Sequence, residues 1–252
     1  MMTTSTPVGS AARPDRFHRV VESLPHRILG VIRAPRLTLH AVAENPQWVD
    51  VLAVTFIVSV LVGAVLLWTD VGRLALLDQW ERTAVAFGQH LNEAQYAAIV
   101  EASRNGAAYA TLSALVKGPL LVFGLSALLL ATFTGTRDHP VSYQQVLATV
   151  AHASVILVVR QVIVTPVNYA RETLASPTTL NLFFTSLDEA SPLARFLGVV
   201  DLFVIWWLSV LAVGVSILYR RPVQTIALTF VGGYVVFALT VAVIMAVIGG
   251  TA

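Results

Sequence analysis

Four ionisable side chains, Lys117, His152, Arg160 and Asp201, stand inside long apolar runs of this 252-residue chain. Any chemistry performed inside those runs has to be built from them. A charged side chain in the middle of a bilayer costs about 2.5–3.5 kcal/mol on insertion scales, so each needs a partner or a task. Arg160 and Asp201 carry opposite charge and can make an ion pair. Opened to a cavity, the same two groups with Lys117 would form a polar pocket for a headgroup, an ion or a proton. Long basic chains near the end of a span also reach the interface unaided. His152 has no HExxH or other ligand spacing around it, which favours a hydrogen-bonded core histidine over a metal ligand.

The usual devices of catalysis are missing. Cysteine is absent, which removes disulfides, thiolate metal sites and cysteine nucleophiles. No phosphate-binding glycine loop or dinucleotide-binding turn occurs, so neither device for using a nucleotide is present. The nucleophile elbow of a serine hydrolase is lacking too. The sequence therefore leads us to expect no catalytic residue, no cofactor and no metal, and an intramembrane enzyme lacks a supporting constellation. The roughly equal spans show no inverted halves, which speaks against the usual secondary-transporter plan.

The elements that must position these residues follow from composition. Apolar residues make up 56% of the chain and charged residues 12%, outside the range of ordinary soluble domains. Five stretches approach or exceed the roughly 20 apolar residues needed to cross a hydrocarbon core. They are Trp48 to Trp68, Ala107 to Phe133, Tyr143 to about Pro166, Gly198 to Arg221, and Val223 to about Ile248. The expected fold is an all-α polytopic membrane protein with five transmembrane helices. Lys117-Gly118-Pro119 interrupts the second span, with Pro119 read as a kink. Gly63, Gly118, Gly124, Gly198 and Gly214 are expected to permit close helix contact. Gly232-Gly233 is assigned no chemistry.

Residues 1–14 form a small, polar tail expected to be disordered. The tail lacks the apolar core of a signal peptide, so no cleavage is expected. In residues 15–47, Arg16, Arg19, Arg27, Arg33 and Arg36 alternate with apolar residues, and Pro25, Pro35 and Pro46 divide the segment. It reads as basic amphipathic juxtamembrane helices, with apolar faces towards lipid and arginines towards headgroups. A docking surface for a partner is the alternative.

Residues 70–106 form a polar, helical loop between the first two spans. Leu74, Leu77, Trp80, Ala84, Phe87 and Leu91 recur at three- and four-residue spacing along it. From this stripe, Leu77, Trp80, Phe87 and Leu91 are the candidate partner surface. Asn92 to Gln95 resembles a capping box that starts a second helix, which Gly106 ends. A second polar loop spans residues 167–195.

Five spans place the chain ends on opposite sides. The N-terminal arginines, Arg137, Arg220 and Arg221 then share one face, against Arg73, Arg82, Arg104, Arg171 and Arg195 diluted by acids on the other. The positive-inside bias predicts N-in, C-out. With that orientation the third span runs outward and the fourth inward, which places Arg160 and Asp201 at similar depth. We expect them to pair, with Lys117 at the same level, locking the second, third and fourth spans. The polar pocket remains the alternative.

Three stretches carry a family resemblance: RILGVIRAPRLTLHAVAENPQW (Arg27 to Trp48), HPVSYQQVLATVAHASVILVV (His139 to Val159) and FLGVVDLFVIWWLSVLAVGV (Phe196 to Val215). In them, and over nearly all of residues 27–248, the chain resembles the bacterial branch of the Yip1-domain family of five-span membrane proteins. The resemblance implies a Yip1-like bundle in the bacterial inner membrane without enzymatic activity. It also implies an accessory role, since some bacterial members resemble accessory subunits of ABC-type efflux systems. The expected partners are membrane lipids and a membrane protein, with ABC transporter subunits as one class. Nucleic acid is not expected, and self-association is left open. The alternative function is a small permease or lipid-handling protein using the Lys117/Arg160/Asp201 level, with His152 nearby.

Overall fold

A computed structural model describes residues 23–133, 140–184, 186–187 and 191–248. The expected disordered tail, Arg16, Arg19, Arg137 and most of the turn at 135–142 lie outside the described residues.

Two short helices, α1 (Leu24–Arg33) and α2 (Pro35–Glu44), precede the first long one, α3 (Val49–Leu67). Pro25 and Pro35 stand in the first turns of these two helices, where a missing N–H costs nothing. The polar helices α4 (Asp70–Ala86) and α5 (Glu93–Arg104) follow. The Thr69 hydroxyl caps α4 by accepting from the Gly72 N–H at 3.0 Å. Asn92 and Gln95 form the expected capping box at the start of α5. Gly72 is required by packing rather than by a turn. A Cβ on it would lie 2.0 Å from the Leu66 carbonyl oxygen, so the reversal from α3 into α4 admits no side chain there.

The second long helix comprises α6 (Gly106–Pro119), a π-helical segment at Leu120–Gly124, and α7 (Leu125–Phe133). Pro119 lacks the N–H that an α-helix would use, and the ladder continues as π-turns instead of breaking. Tyr143 donates its hydroxyl to the Phe123 carbonyl at 3.2 Å, and Trp48 meets the Phe123 ring edge-on. The third long helix is α8 (Tyr143–Ala153) and α9 (Val155–Ala170), joined at Ser154. The Ser154 hydroxyl donates back to the Val150 carbonyl at 2.8 Å, a local bond that bends helices. This helix passes Pro166 and ends one turn later than expected.

The stretch expected to be one continuous fourth span is broken at Val200–Asp201. A short helix, α10 (Pro192–Val199), comes first, and α11 (Leu202–Tyr219) starts after the break. The backbone there pairs with the preceding loop. Leu180 N–H donates to the Val200 carbonyl at 2.9 Å, and Leu202 N–H to the Thr178 carbonyl at 3.0 Å. Those donors and acceptors are withdrawn from the helical ladder, so the helix has to restart. The last helix is α12 (Val223–Ile248).

Five of these helices, Val49–Leu67, Gly106–Phe133, Tyr143–Ala170, Leu202–Tyr219 and Val223–Ile248, are long and apolar enough to cross a membrane. The chain has the architecture of a multi-pass membrane protein, and no strand occurs among the described residues. The third helix is 61% buried over its apolar window and α11 44%, against 17% or less for the other three. The third helix and α11 therefore form the axis, with α3, α6–α7 and α12 around it. Their outward Leu, Val and Phe side chains present the all-round apolar surface expected of spans.

The juxtamembrane helices bury part of their apolar surface in the bundle and leave Leu29 and Leu37 exposed. Val31, Leu39 and Val42 are buried, with α2 packed on α8 and α11. A Cβ on Gly214 of α11 would come within 2.3 Å of the Thr149 methyl and 3.4 Å of Leu39. Of the glycines expected at close contacts, Gly214 is the one that needs to be glycine. Gly63 and Gly118 have room for a methyl, and around Gly198 nothing lies within 4 Å.

Candidate functional site

Asp201 is the N-cap of α11, and its Oδ1 accepts from the Phe203 N–H at 2.9 Å. Its other oxygen receives Arg160 Nε at 2.9 Å and Nη2 at 2.8 Å. The same oxygen accepts from the hydroxyls of Ser176 at 2.9 Å and Thr178 at 2.7 Å. Arg160 Nη2 donates further to Ser176 at 2.8 Å. From α12, the Tyr234 hydroxyl accepts from the Asp201 N–H at 3.0 Å and donates to the Val199 carbonyl at 2.7 Å. Asp201 is 4% exposed. Its carboxylate is saturated by protein donors, as a buried charge must be. The arrangement latches α9, α11, α12 and the 176–180 loop together and leaves no acceptor for a ligand.

Lys117 is not in this latch. The structure brings Arg160 and Asp201 together and puts Lys117 against a separate cavity of about 370 Å³ between α3, the second long helix and the third. Neither Arg160 nor Asp201 lines that cavity. On its wall, Gln161 donates to the Ser59 carbonyl at 2.8 Å and ties α9 to α3. Depth along a span follows from sequence, but the direction in which a side chain leaves its helix follows from packing.

His152 is fully buried in the core of the bundle. Its Nδ1 donates to the Ala148 carbonyl at 2.7 Å, within the same helix. No group of three His, Cys, Asp or Glu side chains that could hold a metal is found among the described residues.

Of the candidate partner surface, Leu77, Trp80 and Leu91 are half-buried and Phe87 is exposed. Trp80 stands edge-on to Tyr109 of α6, with ring centroids 5.2 Å apart. The face of α4 that turns inward instead carries Gly72, Ala75 and Leu76. Phe87 closes α4, and Gly88 beyond it has φ 68°. The stripe therefore bends at the hairpin instead of running along one helix.

A second ion pair escapes a reading by span. Arg27 of α1 is 5% exposed and pairs with Asp50, at the start of α3. It also donates to the Gln47 carbonyl at 3.1 Å. An acid at the third position of the run WVDVLAV, just after a basic segment, is the signal that points to it. No comparable signal marks Ser176, Thr178 or Tyr234, whose roles depend on the loop and α12 folding over Asp201.

Compared with protein-family models, with curated proteins and with solved structures, the chain finds no match.

Proposed function

We propose that the protein is a non-enzymatic accessory subunit that binds and stabilises a partner membrane complex, of the ABC-type efflux class, in the bacterial inner membrane. The observation that carries this reading is the α4–α5 hairpin. It lies outside the five spans and yet leaves Leu74, Val85, Phe87 and Tyr96 exposed. Apolar side chains gathered outside the hydrocarbon region mark an interaction surface. The internal latches support the same reading, because charges paired for structure are not available for transport. Resemblance to Yip1-like bundles supplies the class of partner.

In this reading the chain lies N-in, C-out. Arg36, His40, Arg220 and Arg221 surround a second cavity, of about 530 Å³, at the end of the bundle remote from the hairpin. That concentration of arginine is what a cytoplasmic face carries. Reporter fusions at the two chain ends test the orientation. A photo-crosslinking residue at Phe87, followed by purification in mild detergent, tests the partner. The expected product is an adduct with a transporter subunit. A lone species, or an adduct with a second copy of this chain alone, refutes the accessory role.

A further inference from the structure

Lys117 lies eleven residues into the second long helix from Gly106, about 16 Å at 1.5 Å per residue. Half of a hydrocarbon core is about 15 Å. The neighbouring contact agrees. A Cβ on Gly118 would touch the Phe56 ring at 3.6 Å, and Phe56 stands near the middle of α3 (Val49–Leu67). The ammonium is therefore attached near the mid-plane, and a four-carbon stem does not bridge that depth to water.

No described residue neutralises it. Among the described residues Lys117 makes no ion pair or hydrogen bond, and no carboxylate lines its cavity. Asp201 is committed to Arg160 and Asp50 to Arg27. A lone cation at this depth calls for an anion from outside the chain.

The cavity has the other features of a built site. Tyr109, Ser113 and Lys117 follow at four-residue spacing along one face of α6, and all three line it. The result is a ladder of two hydroxyls and an ammonium, one turn apart. No partner within the protein occupies the hydroxyl of Ser113 or Tyr109 among the described residues. Phe56, Leu121 and Leu157 supply apolar walls. The π-helical segment that carries Leu121 begins directly after Pro119, and such segments recur at functional sites. The volume is at the lower end of the range for small-molecule pockets, about 300–1,000 Å³.

We infer that this cavity binds one long-chain fatty acid, with its carboxylate on Lys117 and Ser113 and its acyl chain along the apolar walls. One ammonium without a second cation selects a monoanion, and the apolar walls select a hydrocarbon tail. The site does not depend on the accessory role: a subunit can hold such a ligand as a structural component, and a lipid-handling protein can carry it.

Native mass spectrometry of the full-length protein, delipidated in detergent and titrated with palmitate, tests this. One adduct per chain is expected. Methyl palmitate, which lacks the charge, should compete at least tenfold more weakly than palmitate. Lys117→Met should weaken palmitate binding at least tenfold, and Lys117→Arg should retain most of it. Thermal unfolding of Lys117→Met should match or exceed that of the parent protein, since an unpaired charge on a membrane-spanning helix is removed. Equal competition by the methyl ester, or unchanged binding by Lys117→Met, overturns the inference. So does displacement by phosphatidylglycerol of a site that palmitate cannot fill. These outcomes are independent of whether Phe87 crosslinks to a partner.

Discussion

Replacing Asp201 by asparagine isolates the charge of the latch from its shape. Asparagine is as good an N-cap as aspartate, so the bond to the Phe203 N–H survives. What disappears is the anion facing Arg160, whose side chain is 29% exposed, together with the acceptor strength offered to Ser176 and Thr178. Removing one member of a buried pair costs about 3–5 kcal/mol, because the other charge is left uncompensated. For a chain of this length about 1 kcal/mol moves the midpoint by roughly 2–4 °C. Asp201→Asn should therefore unfold about 6–20 °C lower in detergent, followed by intrinsic fluorescence or by loss of the monodisperse peak. Asp201→Ala should lose about 1 kcal/mol more, the worth of a cap. The double variant Arg160→Met, Asp201→Asn leaves no orphan charge and should recover much of the loss. A midpoint within about 2 °C of the parent for Asp201→Asn would refute the latch. A double variant no better than the single one would show that the carboxylate acts through the loop hydroxyls and not through Arg160.

Three further variants test the packing at Gly72 and Gly198 and the hydrogen bonds of Tyr234. Gly72→Ala should destabilise the α3–α4 reversal and expose the hairpin to limited proteolysis, because the new methyl meets the Leu66 carbonyl at 2.0 Å. Gly198→Ala, with nothing within 4 Å, should be silent in the same digest. Tyr234→Phe should cost about 1–3 kcal/mol in thermal unfolding, since the Asp201 N–H and the Val199 carbonyl both lose their partner. A neutral Tyr234→Phe would mean that another donor or water replaces the hydroxyl.

The amino-acid sequence by itself determined the spans, because apolar length is a one-dimensional property that hydrocarbon thickness reads directly. It determined the Asn92 capping box, which is a contact between residues three apart. It also placed Arg160 and Asp201 at matching depth, because each lies close to the same end of its span. Tertiary structure alone decided azimuth. Lys117 also stands on a helix long and apolar enough to cross a membrane, but it lines a cavity walled by α3 and α9, while Arg160 leaves α9 towards α11. Tertiary structure also decided that α1 and α2 fold back on the bundle, since an apolar face serves equally against lipid or protein. The break at Val200 was settled by a competing hydrogen-bond partner, the 178–180 backbone, which no local pattern in the fourth span announces.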